Sequence, residues 1–387
     1  MFVGSAQAES MSLVTVGGEP YALAITPDGK YVYVPNGEDV AVIDTASNKV
    51  ISRIAVEGVP YDVVALPNGE YVYVANRAFD NGGLVSVISV SSNTVTSTVN
   101  VGGDPIGVVV SSDGEYVYVL KSEFMPAGGG SYNAVGVVSV ISTSTNTVLS
   151  SISLGKHSSG LAVSPNGEYL YVTTADGSFS VVDISLKTET ATIKIGNSSL
   201  GDVAVSSNGL YAYVLGLSDV SVINTDSNEV VATIPDLGSP NGLVLSPDGN
   251  YVYVTENWNK TVSAINTATH LVEFSISAGE NPYGVTVSPD GKKLYVSNLD
   301  YVPSDSFGVN YVGTVSMIST GQNAGVIDSF SLQSLIVVVV CVVVAVIVFL
   351  VVMRLKRKSK ASFPTNPDVA SNTLVKLCLI EQCCVFV

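Results

Sequence analysis

An all-β fold, a seven-bladed β-propeller of four-stranded antiparallel blades with one C-terminal transmembrane helix, is predicted by three features of this chain. The first is a turn ending in glycine, at Gly29, Gly69, Gly114, Gly167, Gly209, Gly249 and Gly291, with spacings of 40, 45, 53, 42, 40 and 42 residues. A period near forty with several short strands per unit marks a repeat array. The second is the strand after each turn, as in Tyr31-Val32-Tyr33-Val34 and Tyr251-Val252-Tyr253-Val254, which is too apolar to expose a face. The third is a single uninterrupted apolar run near the C-terminus, over 335–353.

One unit shows how a blade is built. Residues 61–66 form a first strand, Pro67-Asn68-Gly69 a turn and 71–75 a second strand. Residues 85–89 are a third strand, Ser92-Asn93-Thr94 turns again, and 95–101 are a fourth. Proline presets φ and glycine accepts the left-handed region, so Pro-Asn-Gly and Pro-Asp-Gly are turns with a mechanism. Sheets stacked face to face around an axis bury both faces of such strands. Residues 12–18 precede the first unit as an orphan fourth strand and are expected to complete the last blade, with 325–330 as the competitor.

Tyr33-Val34-Pro35-Asn36, Tyr73-Val74-Ala75-Asn76, Tyr253-Val254-Thr255-Glu256-Asn257 and Tyr295-Val296-Ser297-Asn298 resemble the YVTN-type β-propeller repeat. The strands 40–45 and 220–225 match its third strand, and the resemblance covers 12–330. It implies kinship with archaeal surface-layer proteins and with bacterial surface and periplasmic propellers. The role it implies is a non-enzymatic one, in surface binding, adhesion or envelope structure. Some seven-bladed relatives are enzymes, so an extracytoplasmic lactonase-like hydrolase is the alternative.

Charge divides the chain in two. Of 33 acidic and 17 basic residues, the part before Ser334 carries a balance of −20 and the remainder +4. A body this acidic repels phosphate backbones, which argues against nucleic acid as a partner. All four cysteines, Cys341, Cys378, Cys383 and Cys384, follow the repeats, so the repeats have neither disulfides nor a thiolate metal site.

The apolar run of 19 residues would span roughly 28 Å as a helix, close to the hydrocarbon thickness of a bilayer. Helix is the form in which such a segment bonds all its own backbone groups in lipid. The basic cluster Arg354-Leu355-Lys356-Arg357-Lys358-Ser359-Lys360 follows at once, so the tail is expected in the cytoplasm and the propeller outside. The expected organisation is a signal-peptide remnant over 1–11, the propeller over 12–330, a membrane helix over 334–353 and a short tail over 354–387. Ala6-Gln7-Ala8 before Glu9 fits a signal-peptidase site, which carries the first of these.

Catalytic constellations are hard to assemble from this inventory. The two histidines, His157 and His270, fall in different units, and Arg53 and Arg77 are the arginines before the membrane run. No catalytic residue, metal site or cofactor is expected. His270 reads as a solvated turn residue, whereas His157 precedes a first strand and falls on a rim of the channel.

Departures from the repeat are more informative. Inserts over 77–83, 121–136 and 299–313 separate second from third strands in units 2, 3 and 7. That connection emerges on the same face as the links between blades, so the inserts should decorate one face. They carry Phe79, Asp80, Phe124, Tyr132, Asp300, Tyr301, Asp305, Phe307 and Tyr311, read as mobile loops suited to carbohydrate or protein contact. Asp300 and Asp305 lack the dense oxygen-ligand spacing of known calcium loops. Asn197 and Asn259 head glycosylation sequons. The expected partners are the membrane, through one span, and cell-envelope glycans or surface proteins.

Overall fold

The computed structural model describes residues 11–78, 82–128, 131–303 and 309–320. The chain divides into two units, Met1–Gln322 and Asn323–Val387. Residues 1–10, 325–330 and the whole second unit, with the apolar run 335–353, lie outside the described residues. Among the described residues, no helix is long and apolar enough to cross a membrane.

The first unit is built of seven four-stranded antiparallel sheets. In blade 1 the strands are Ala24–Ile25, Tyr31–Pro35, Val40–Asp44 and Lys49–Ile54. Their order in the sheet follows the chain, as it does in blades 2 to 6. Blade 7 differs. Its first three strands, Pro282–Val287, Lys293–Pro303 and Val309–Ser319, are completed by the N-terminal strand Ser12–Thr15. Val14 pairs with Val315 in that register, so the orphan strand closes the ring.

Local chemistry explains the strand ends. The Thr26 hydroxyl donates to Asp28 Oδ1 at 2.6 Å, and Gly29 takes φ +72° to complete the turn. Ser246 with Asp248 and Ser288 with Asp290 repeat the bond at 2.6 Å. The turn between third and fourth strands places a left-handed residue at Asn48, Asn93, Asn146 and Asn228, each near φ +50° to +56°. Asparagine tolerates that region best among residues with a side chain. Lys187 and His270 take the same conformation in blades 4 and 6.

Each blade boundary is its own core. Tyr73, Val85 and Val87 of blade 2 pack on Val108, Val117 and Ile141 of blade 3. Tyr295, Val315 and Met317 of blade 7 pack on Val32, Val34 and Ile43 of blade 1, with Val14 and Val16 in the same cluster. Second and third strands are buried on both faces, while outer strands such as Thr94–Asn100 alternate exposed and buried. The predicted two-faced burial therefore holds for the middle strands of each blade. Each fully buried aliphatic side chain contributes about 1.5–3 kcal/mol.

Polar bonds add register to these interfaces. Tyr33 Oη donates to Asn93 Oδ1 of the next blade at 2.7 Å, and Tyr73 Oη to Asn146 Oδ1 at 2.5 Å. At the blade 5–6 boundary His270 holds the asparagine's place. Its ring lies edge-on to Tyr211 at 5.5 Å and 6.4 Å from Tyr213. His270 is thus half-buried between blades, not a solvated turn residue.

The tyrosine clamps predict unequal costs. Tyr73→Phe should lower stability by about 1 kcal/mol, because Asn146 loses its donor. Tyr213→Phe should be neutral or stabilising, since the Tyr213 hydroxyl is buried with no hydrogen-bond partner. Chemical denaturation of both variants measures the contrast. Ring closure gives a second prediction on a single strand. Val14→Asp should lower the thermal midpoint sharply and Leu13→Asp hardly at all, because Val14 is 9% exposed and Leu13 54%. Differential scanning calorimetry compares them.

Candidate functional site

The inner strands of all seven blades line a channel of about 920 Å³ on the propeller axis. One end of it opens where blades are linked. The inserts leave the sheets at that same end, because their bases bond to the links: Gly83 N to Gly103 O at 3.1 Å, Gly136 N to Lys156 O at 2.6 Å and Val16 N to Gly313 O at 2.9 Å. The expected common face is therefore observed in the backbone.

The described residues of the blade 3 and blade 7 inserts are strand, not loop. Tyr116–Gly128 and Ser131–Ser142 extend as a paired ribbon, as do Lys293–Pro303 and Val309–Ser319. Continuous backbone pairing corrects the expectation of mobile loops. Phe124 pairs with Ala134 on the first ribbon, is 56% exposed and lines the channel mouth. Tyr132 sits opposite Pro126 near its tip, and Tyr301 opposite Tyr311 on the second ribbon. Asp300 Oδ2 accepts from Thr314 Oγ1 at 2.8 Å, a bond within the ribbon. Phe79, Asp80, Asp305 and Phe307 lie outside the described residues.

His157 lines the channel and is exposed. Both arginines among the described residues are paired, Arg53 with Asp39 at 3.2 Å and Arg77 with Asp104 at 2.5 Å. Asn197 is exposed. The Asn259 amide donates to Glu256 Oε2 at 2.5 Å, a bond that a glycan on that nitrogen would disturb. Among the described residues, no group of three or more His, Cys, Asp or Glu could hold a metal ion.

The chemistry at the mouth comes from residues that the search for inserts passed over. Tyr21, Tyr61 and Tyr283 start the inner strands of blades 1, 2 and 7 and line the channel together. The Tyr21 ring is 5.3 Å from Tyr61 and 5.0 Å, edge-on, from Tyr283. Arg77 lies 5.0 Å from the Tyr61 ring centre and forks onto Asp104 through Nε at 2.9 Å and a terminal nitrogen at 2.5 Å.

Two carboxylates complete the lining, Asp62 of blade 2 and Asp202 of blade 5. Asp62 accepts from Val63 N at 2.8 Å and, across the blade boundary, from Val108 N at 2.7 Å. Asp202 accepts from Val203 N at 2.8 Å. Enclosure by the channel wall pushes Asp62 up to about 6, against the pull of its two amide donors. Asp202 is open to channel solvent yet ringed by protein, and that enclosure, with the charge of Asp62, raises it to about 7.

A signal for both was present in the repeat. The position they occupy reads Ala22, Asp62, Gly107, Gly160, Asp202, Gly242 and Gly284 around the ring. A Cβ on Gly160 would sit 2.7 Å from Gly201 O, and one on Gly242 2.5 Å from Tyr283 O. A column of small residues broken twice by the same acid can be found without coordinates.

Comparison with known proteins agrees on the architecture. A family model described as YNCE-like beta-propeller matches residues 168–291. The seven-bladed beta-propeller protein Rv1057 of Mycobacterium tuberculosis is 33% identical over 115 residues, 28% of this chain and 29% of that protein. The chain is a β-propeller. The match spans less than a third of the length of that relative. A solved structure, the Kuenenia stuttgartiensis hydrazine synthase, superposes with a TM-score of 0.63 over 73% of this chain and 94% of that one. At 23% identity the likeness shows the fold alone.

A carboxyl raised on folding binds more protons in the native state, so ionising it costs stability between its unfolded value of 3.8 and its folded value of about 7. Asp202→Asn removes that cost and keeps an acceptor for Val203 N. The variant should match the parent at about pH 4 and exceed it in thermal midpoint at about pH 8. Thermal melts across this range check the sign.

Proposed function

We propose that this chain is a non-enzymatic binding propeller of the cell surface, with a YVTN-type repeat, tethered by the span 335–353 and facing outward. The channel mouth on the insert face is its ligand site. The observation that carries the reading is the convergence there of Tyr21, Tyr61, Tyr283, Asp62, Asp202 and Phe124 around one opening. Aromatic rings with carboxylates offer both apolar stacking and charged hydrogen-bond acceptors to a polar ligand. The ribbons of blades 3 and 7 rise beside that opening and extend the contact surface. The resemblance to surface-layer and envelope propellers, the acidic body and the basic cluster after the apolar run support an outward-facing placement.

A lactonase-like hydrolase is the second reading, and His157 with the two raised carboxyls is what favours it. The full chain in detergent, offered cell-envelope extracts and glycans with lactone hydrolysis followed in parallel, separates the two. Saturable binding without turnover is expected, with binding weakened when the blade 3 ribbon is shortened. Turnover abolished by His157→Ala would overturn the proposal.

A further inference from the structure

We propose that the channel mouth binds an organic ammonium group, seated in the channel against the packed cluster of Tyr21, Tyr61 and Tyr283 and paired with the carboxylates of Asp62 and Asp202. This rests on the reading of the mouth as the ligand site and names the ligand's chemistry.

Three observations carry it. The first is a cation already seated there. The Arg77 guanidinium lies 5.0 Å from the Tyr61 ring centre with Asp104 as its counter-charge, the arrangement of ring face and carboxylate that a ligand ammonium would meet. The second is a charge imbalance. Arg77 is matched by Asp104 and Lys156 by Asp176, while Asp62 and Asp202 take part in none of the ion pairs among the described residues. A cation is what the lining lacks. The third is placement. Asp202 stands where four blades have glycine, and it accepts from the amide of the next residue, so the fold itself needs no acid there. Asp62 differs in tying blade 2 to Val108 of blade 3, which makes Asp202 the cleaner handle.

The class of cation follows from the lining. A hard metal ion needs six or more oxygen ligands, and three of the groups here are rings. A neutral sugar would stack on the tyrosines but leave both carboxylates uncompensated. An ammonium carried on carbon satisfies both surfaces at once.

Binding is then linked to protons. The titratable and charged groups around the mouth are Asp62, Asp202, Tyr21, Tyr61, Tyr283 and His157, with Arg77 and Asp104 as a pair and Glu19 accepting from the Tyr21 hydroxyl at 2.6 Å. A cation binds the ionised carboxylates, so affinity rises with pH through the range near 6 to 7 in which Asp62 and Asp202 lose their protons.

The test is calorimetric titration of the full chain in detergent with choline and tetramethylammonium. The control is 3,3-dimethylbutan-1-ol, the neutral carbon analogue of choline. Choline should bind at least about ten-fold more tightly than its neutral analogue, and about ten-fold more weakly near pH 5 than near pH 8. Asp202→Asn should weaken choline about ten-fold and flatten the pH profile; Tyr283→Phe should retain binding and Tyr283→Leu lose it. Equal binding of the neutral analogue, a flat pH profile in the unaltered protein, or no binding of either ammonium would overturn the proposal. Should Asp202→Asn fail to fold, the analogue comparison and the pH profile decide alone. Envelope binding that persists without ammonium binding would sink this inference and leave the surface-binding reading standing.

Discussion

Crowding at the axis is the constraint on which the rest of this structure depends. Seven inner strands must converge tightly enough for neighbouring blades to share one apolar interface each, and that convergence removes the room for side chains where the strands enter. Gly160, Gly242 and Gly284 all show it, since an added Cβ would meet the backbone of the next blade within 2.7 Å. The channel persists because those same positions are small. An acid at two of them is therefore a departure from what packing alone selects.

The interfaces work because each blade is apolar on both sides of its middle strands, and blades 1 and 2 add a polar peg at a fixed place. Tyr33 and Tyr73 reach across to the left-handed asparagine of the following blade, and the bond holds only if both strands keep register. Where the asparagine is replaced, apolar packing continues without it. Tyr213 with its unpartnered hydroxyl against His270 is such a place. Registration is thus shared among many weak contacts, and the array tolerates local loss as repeat architectures do.

The repeat period, the Pro-Asp-Gly turns and the two-faced strands made the blade count and strand order legible in the sequence, and even the N-terminal closing strand. What was not legible was the extension of the inserts as ribbons. Gly-rich and Pro-containing stretches such as Pro126-Ala127-Gly128 read as loops, yet the adjoining strands carry their pairing outward to the tip. The site was legible only in the half that broke spacing. Phe124 and His157 were found because they interrupt or flank a repeat; Asp62 and Asp202 keep the spacing and change only the residue. Length variation draws attention to loops, whereas chemistry on an inner strand has to be read down a column.

Electrostatics gives that column its meaning. A body carrying −20 before Ser334 already repels anions, and two of its acids stand uncompensated in a confined lumen, which raises the cost of every added negative charge there. The protein meets this cost by holding protons, as the elevated values of Asp62 and Asp202 express, or by accepting a cation. The two responses compete for the same carboxylates. Occupancy by a cation must then expel protons, and acidification must expel the cation. A lumen of this kind takes up or releases its cation over the range in which Asp62 and Asp202 titrate.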